Sequence, residues 1–140
     1  MAGIGATHID HVVIGSTHCA RTAKHFSDTF GIEILRVFKR PGSGAHMEFA
    51  KLKEVVLEFA GPGEEPDDDD IKARLSGIVL AVDDMDGAIS HLRDAGFDAG
   101  DPHPAVQPGA VFAAIKSGTH GMQLGLIQYN AIPQKDGDSN

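Results

Sequence analysis

The pattern of hydrophobic and polar residues repeats: strand-like and helix-like periods occur in the same order in each half of the chain. Each half begins with a β-branched apolar run, continues with apolar residues at helical spacing, and ends in short runs with the period of a strand. In the first half this pattern predicts strands over 8–14, 32–39, 46–51 and 55–60 and a helix over 18–30. In the second half it predicts strands over 77–82, 97–99, 111–116 and 122–128 and a helix over 85–95. Each half is therefore predicted to be a β-α-β-β-β unit.

Polar and glycine residues mark where the two helices begin and end. Ser16 or Thr17 is expected to cap the first helix, and Asp83 or Asp84 the second, because their side-chain oxygens can accept free backbone N–H groups. Gly31 is a natural stop for the first helix, since glycine adopts the left-handed conformation that ends many helices.

The division of the chain follows from a change in composition between the halves. Residues 61–75 are rich in Gly, Pro, Glu and Asp and are interpreted as a linker, with one helical turn near Ile71–Arg74. The run Asp67–Asp70 inside it is interpreted as solvated chain rather than a cation site. We expect a single domain over 1–140, with unit one at about 8–60, unit two at about 76–129 and a polar tail over 130–140.

Composition narrows the classes of function. The chain has 140 residues, 41% of them hydrophobic, and a formal net charge of −8. Such a charge gives no general attraction to nucleic acid or to an anionic membrane, so neither is expected as a partner. No apolar run approaches the roughly 20 residues that span a bilayer. Without an export signal, and with Cys19 as the only cysteine, a cytoplasmic location is expected.

The two halves differ at the positions where the repeat carries candidate chemistry. The first copy has His11 on its first strand and Glu58 on its last strand, and the second copy has Gly77 and Gly125 there. An imidazole and a carboxylate on neighbouring strands could hold a divalent metal, whereas two glycines cannot. A His–Glu ion pair that acts as an acid–base pair without metal is the alternative.

The motifs and their order resemble the vicinal oxygen chelate superfamily, also called the glyoxalase, bleomycin resistance and extradiol dioxygenase superfamily. The segments that carry the resemblance over residues 8–129 are Ile9–Ile14, Phe30-Gly31, Val82–Ala88, Ala95–Phe97 and Gly121–Ile127. The resemblance implies an α+β fold in which two β-α-β-β-β units form a curved, mixed sheet around a cavity, within one chain or across a dimer. A homodimer is expected on the same ground.

The same resemblance implies four metal-ligand positions, at His11, Glu58, Gly77 and Gly125. Only the first two are ligand types, and a catalytic metal normally has three or more protein ligands. We therefore favour no metal over one divalent ion held by His11 and Glu58. A nucleotide cofactor is not expected, because the loop Pro41–Gly44 has no following Lys-Ser/Thr and helix.

Further residues are predicted to bind the substrate. Gln123 shares a strand face with Gly125, and His46 and Glu48 share a face of the third strand, although the sequence does not say whether that face looks inward. The glycines Gly77 and Gly125 would enlarge the pocket for an organic ligand, and Val79 and Val111 would give it an apolar lining. The roles of His103 and His120, both in loops, stay open. Cys19 has either a lowered pKa near a helix N-terminus or, as we favour, a packing role.

Two hypotheses about function follow, from different classes. The first is a small-molecule enzyme with isomerase- or lyase-type acid–base chemistry on a carbonyl-bearing substrate, in which Glu58 is the base and His11 the acid or electrostatic partner. The second is a metal-free binding protein that sequesters an antibiotic or a metabolite, as the bleomycin resistance members of the family it resembles do. We favour the enzyme, because a sequestering pocket needs no buried His–Glu pair.

Overall fold

A computed structural model describes residues 3–131, which form two helices and eight strands. The helices are α1 (Cys19–Phe30) and α2 (Met85–Asp94). The strands are β1 (Ala6–Ser16), β2 (Ile34–Lys39), β3 (His46–Leu52), β4 (Val55–Gly61), β5 (Ala73–Val82), β6 (His103–Pro104), β7 (Val111–Ile115) and β8 (Gln123–Gln128). Strands pair in both directions, so the predicted α+β class with mixed pairing is confirmed. The predicted polar tail from residue 132 onward lies outside the described residues.

The chain divides into two compact units. The first unit, Asp10–Gly77, orders its strands β2-β3-β4-β1, with β1 and β4 parallel and the other neighbours antiparallel. Helix α1 covers one face of these strands: Cys19 and Ala23 pack with Ala50 and Phe59, all of them buried. Ala50 and Phe59 meet the helix on the same face because alternate residues of each strand point to the same side.

Within the described residues, the second unit contains 3–9 and 78–131 and orders its strands β5-β8-β7-β6. Helix α2 packs on one face of these strands, where Ile89 and Leu92 meet Ala113 and Leu126. The other face carries a separate apolar cluster of Val79, Ala81, Ala110 and Ile127, with Phe112 against it.

The start of α1 differs from the prediction that Ser16 or Thr17 caps it. The N-cap is His18, which makes no side-chain capping bond. Instead, Glu65 accepts hydrogen bonds from the backbone N–H groups of Ala20 and Arg21, at 2.6 and 3.3 Å. A residue 45 positions away therefore satisfies donors that a local cap would have satisfied. The predictions for Gly31 and Asp84 are confirmed: Gly31 is left-handed at φ 68°, and Asp84 accepts from the N–H of Gly87.

One predicted helical turn and one predicted strand were also wrong. The helical turn near Ile71–Arg74 is absent, since β5 begins at Ala73. The strand over 97–99 is reduced to one bridge between Ala99 and Ile115, and the loop after Pro102 contains β6 instead. Three residues between a glycine stop and a proline-rich loop are too few for periodicity to decide.

The helices are short. No helix within residues 3–131 is long and apolar enough to cross a membrane.

Candidate active site

His11 and Glu58 lie on one face of the first unit, as their strand positions predicted. In the parallel pairing of β1 with β4, His11 lies opposite Val56 and Val13 lies opposite Glu58. Because residues two apart share a face, the His11 and Glu58 side chains project to the same side. Both residues are buried, and His11 Nε2 lies 3.8 Å from Glu58 Oε2. The gap is wider than a hydrogen bond, so the two atoms face each other without a direct hydrogen bond between them.

Asp10 is a third member of this group, which the sequence reading did not identify. Its Oδ2 lies 2.8 Å from His11 Nδ1, and Asp10 is itself only 5% exposed. Since a carboxylate accepts, Nδ1 carries the proton in this contact, and Nε2 is the nitrogen that faces Glu58. The signal was present in the sequence as an acidic residue inside the strand, directly before His11.

The charge on Glu58 is disfavoured by its surroundings. Burial raises the pKa of its carboxyl group above the ordinary value, although the nearby His11 and Arg40 act to lower it. Desolvation therefore outweighs the attraction to the two cations. A carboxylate with a raised pKa takes up a proton more readily at neutral pH, which is the property required of a general base.

His46 and Glu48 lie on the opposite face of the first unit from Glu58. In the antiparallel pairing of β3 with β4, Glu48 lies opposite Phe59, and Phe49 lies opposite Glu58. Phe59 packs under α1, so His46 and Glu48 belong to the side that the helix covers. There His46 Nε2 and Glu48 Oε2 lie 2.7 Å apart. The structure thus brings His46 and Glu48 together but separates them from the His11–Glu58 face.

In the second unit, an aromatic ring covers the predicted ligand position Gly125. A side-chain Cβ at Gly125 would lie 2.5 Å from the ring of Phe112 and 3.3 Å from Val79. The 2.5 Å distance is shorter than the non-bonded contacts of real Cβ atoms, so Gly125 accommodates the Phe112 ring rather than leaving open volume above the strand. The expectation that this glycine enlarges a pocket is wrong for that reason.

The remaining predicted residues of the second unit lie apart from one another. Val79 is buried in the apolar cluster beside Phe112, whereas Val111 packs with the cluster beneath α2, on the other face of its strand. Gln123 is exposed at the start of β8. His103 contacts Phe112 with ring centroids 5.5 Å apart, and His120 occupies a turn with φ 54°. The predicted Gly77, by contrast, is a half-buried residue of β5 in the first unit.

The donor set at His11 does not fit a resident catalytic metal. Among residues 3–131, His11 and Glu58 belong to no convergent group of three His, Cys, Asp or Glu donors. Two protein ligands hold a divalent ion only weakly, and catalytic sites usually supply three. The His11–Asp10 contact does resemble the carboxylate support of a metal-bound histidine, but it serves equally to orient a metal-free imidazole.

Comparison with known proteins gives one family match. The model of the family described as the glyoxalase/bleomycin resistance protein/dioxygenase superfamily matches residues 10–114, three quarters of the chain. No curated protein matches the sequence.

Solved structures with the same fold cover nearly the whole chain at low identity. A Streptomyces coelicolor methylmalonyl-CoA epimerase in complex with 2-nitronate-propionyl-CoA is 18% identical, with a TM-score of 0.75 over 94% of this chain and 100% of that one. The methylmalonyl-CoA epimerase from Mycobacterium tuberculosis is 14% identical, with a TM-score of 0.73 over 92% and 93%. A hypothetical protein from Bacillus halodurans is 17% identical, with a TM-score of 0.72 over 91% and 98%. At these identities the likeness establishes the fold alone.

Proposed function

The chain belongs to the glyoxalase/bleomycin resistance protein/dioxygenase superfamily, and we propose that it is an isomerase-type enzyme that moves a proton at a carbon next to a carbonyl group. The observation that carries the proposal is the buried His11–Glu58 pair, with its 3.8 Å separation and the raised pKa of Glu58. Burial of a carboxylate costs stability, so a functional reason for its position is expected.

In the proposed reaction Glu58 is the general base. Its carboxylate removes the proton from the substrate carbon and becomes a carboxylic acid, while the electron pair of the C–H bond moves into the enolate. Loss of the negative charge relieves the desolvation that burial imposes on Glu58. Delivery of a proton to the opposite face of the enolate completes an epimerisation, and delivery to a neighbouring carbon completes an isomerisation. Glu58 becomes a carboxylate again when it gives its proton to the enolate, or to solvent where solvent has supplied the new proton.

His11 stabilises the charge that develops on the substrate oxygen. Asp10 holds Nδ1–H, so in the imidazolium form Nε2–H is directed to the side of Glu58 and can donate to the enolate oxygen. Asp10 is a positioning residue in this scheme, because its carboxylate fixes the orientation of the imidazole ring. The three groups together provide a base, an electrophile and an orienting anion.

An acyl thioester is the substrate class that we favour. The solved structures that share this fold include methylmalonyl-CoA epimerases, one of them in complex with methylmalonyl-CoA, an acid thioester with a hydrogen next to its carbonyl. The carbonyl of a thioester acidifies that hydrogen, so one carboxylate base and one hydrogen-bond donor to the carbonyl oxygen are sufficient for catalysis.

The test measures turnover and ligand affinity separately on a panel of acyl thioesters and ketones. Glu58→Gln should lower kcat by about 10²–10⁴-fold, the usual contribution of a general base, while ligand affinity stays within a few-fold. Glu54→Gln, an exposed carboxylate in the turn between β3 and β4, is the matched control and should behave as the native protein. Treatment with a chelator should leave turnover unchanged. Turnover that is lost on chelation and restored by added divalent ion would refute the proposal.

A binding protein that sequesters an organic compound is the second candidate. It is favoured by the Phe112 ring over Gly125, since an aromatic side chain at a ligand position suits contact with an apolar molecule rather than a metal. A ligand whose affinity survives both Glu58→Gln and His11→Ala, together with no turnover on the panel, would establish this alternative in place of the enzyme.

A further inference from the structure

A second cluster of candidate ligands lies on the helix-covered face of the first unit, apart from His11. It consists of Cys19 at the start of α1 and of His46 and Glu48 on β3. One ligand atom from each residue lies within 4.8 Å of the other two, and the imidazole and carboxylate atoms are 2.7 Å apart. Three ligand types from two separate elements therefore converge on one point.

We propose that Cys19, His46 and Glu48 form a zinc site, with water as the fourth ligand. Thiolate, imidazole and carboxylate are the three side chains that bind Zn²⁺ in proteins, at about 2.0–2.3 Å, so ligand atoms around one ion lie about 3.5 Å apart. The observed separations need an adjustment of roughly an ångström to reach that value. The inference does not depend on the proposed catalytic function, because it concerns residues on the other face of the strands.

The backbone around Cys19 is shaped to bring the helix onto the strand at this point. Gly61 pairs with His46 across β3 and β4. A Cβ at Gly61 would lie 2.9 Å from the Cβ of Cys19 and would clash with the carbonyl oxygen of Ser16. Glycine at this position therefore permits the approach that places the Cys19 side chain beside the His46–Glu48 pair.

Charge and exposure also favour a cation here. Cys19 is fully buried, and the carboxylates of Glu48, Glu65 and Glu58 act electrostatically on its sulfur. The negative potential of these carboxylates attracts a divalent ion. The His46 side chain is 26% exposed, so the site has an opening through which an ion and a water ligand can enter.

The test is metal binding by reduced, chelator-treated full-length protein. We expect one Zn²⁺ per chain, measured by competition with a chromophoric chelator, and a thiolate-to-metal charge-transfer band when Co²⁺ replaces zinc. Cys19→Ser should remove the band, and His46→Ala and Glu48→Gln should each weaken Zn²⁺ binding by about 100-fold or more, since even outer partners of a metal site contribute 10–100-fold. His25→Ala, an exposed histidine of α1, and His11→Ala should leave the binding unchanged.

Each contrary result overturns the site. Binding below one ion per chain, a Co²⁺ complex without the charge-transfer band, or affinity that depends on His11 rather than His46 would show that these residues hold no zinc. Because Cys19 is in the core and its replacement could prevent folding, circular dichroism must accompany that variant. If Cys19→Ser does not fold, the partly exposed His46→Ala decides by the same measurements.

Discussion

Replacement of Glu58 by glutamine is expected to stabilise the protein while it removes the proposed base. The pKa of Glu58 is raised by burial in spite of the attraction to His11 and Arg40, so its charged form is less favourable in the folded protein than in water. Glutamine has the same shape without the charge. The variant should therefore unfold at higher urea concentration than the native protein at neutral pH, as expected where function is maintained at a cost in stability.

The size and the pH dependence of the effect follow from linkage. The pKa of Glu58 in the folded protein is raised above its ordinary value, so its ionised form costs folding free energy at pH 7. We expect Glu58→Gln to gain about 0.5–2 kcal/mol, the usual range of a single stabilising substitution. The sign is fixed by the raised pKa. The folded protein binds the Glu58 proton more tightly than the unfolded chain does. The stability that the protonated Glu58 contributes is therefore fully present below pH 4.5 and is lost as pH rises through the folded pKa.

The assay is urea unfolding followed by circular dichroism at several pH values between 5 and 8. The difference between Glu58→Gln and the native protein should narrow as pH falls toward the ordinary pKa of a glutamate. Glu54→Gln, the exposed control in the neighbouring turn, should show a change within about 0.5 kcal/mol at every pH. A loss of stability in Glu58→Gln at pH 7, or a difference that does not change with pH, would refute the argument that desolvation dominates at Glu58.

Three further predictions concern the fold and the assembly. Glu65→Ala should destabilise the protein by about 0.5–2 kcal/mol in thermal unfolding, because Glu65 caps α1 from a distance. Replacement of its exposed neighbour, Glu64→Ala, should cost little stability. Equal losses in the two variants would refute the capping role. Gly125→Ala should cost about 1–3 kcal/mol by crowding the Phe112 ring, and Phe112→Ala in the same chain should recover part of the loss; additive losses would contradict the contact. Sedimentation at micromolar concentration should give a homodimer, and a monomer would contradict that expectation.

Much of the first unit could be predicted from the sequence because its elements are long and periodic. The alternation along β3 and β4 and the helical spacing over α1 gave the positions of these elements to within a few residues. The family resemblance, together with alternation along each strand, predicted that the His11 and Glu58 side chains lie on one face, and the pairing of β1 with β4 puts them there. Gly31 was found for a similar reason: its left-handed conformation at a helix end is a local property of glycine.

Contacts between distant segments could not be predicted in the same way. The capping of α1 by Glu65 joins residues 45 positions apart, and no local pattern indicates it. The position of the Phe112 ring over Gly125 depends on the register of β7 with β8. Alternation does not determine that register, because a shift of two residues keeps the same side chains on each face. The side on which His46 and Glu48 lie was undetermined because it depends on where α1 packs. Burial, which decides the pKa of Cys19, likewise follows from packing rather than from position near a helix end.

The exchange of a substrate proton with solvent tests the central claim most directly. Chelator-treated protein is incubated in heavy water with methylmalonyl-CoA or a simple acyl thioester. Mass spectrometry should show deuterium incorporated at the carbon next to the carbonyl, faster than in the same heavy-water buffer without protein. Glu58→Gln should lower that rate by about 10²–10⁴-fold, and Glu54→Gln should leave it unchanged. Exchange that persists in Glu58→Gln, or that disappears on chelation, or that never exceeds the buffer rate across the thioester and ketone panel, would contradict a metal-independent acid–base pair at His11 and Glu58.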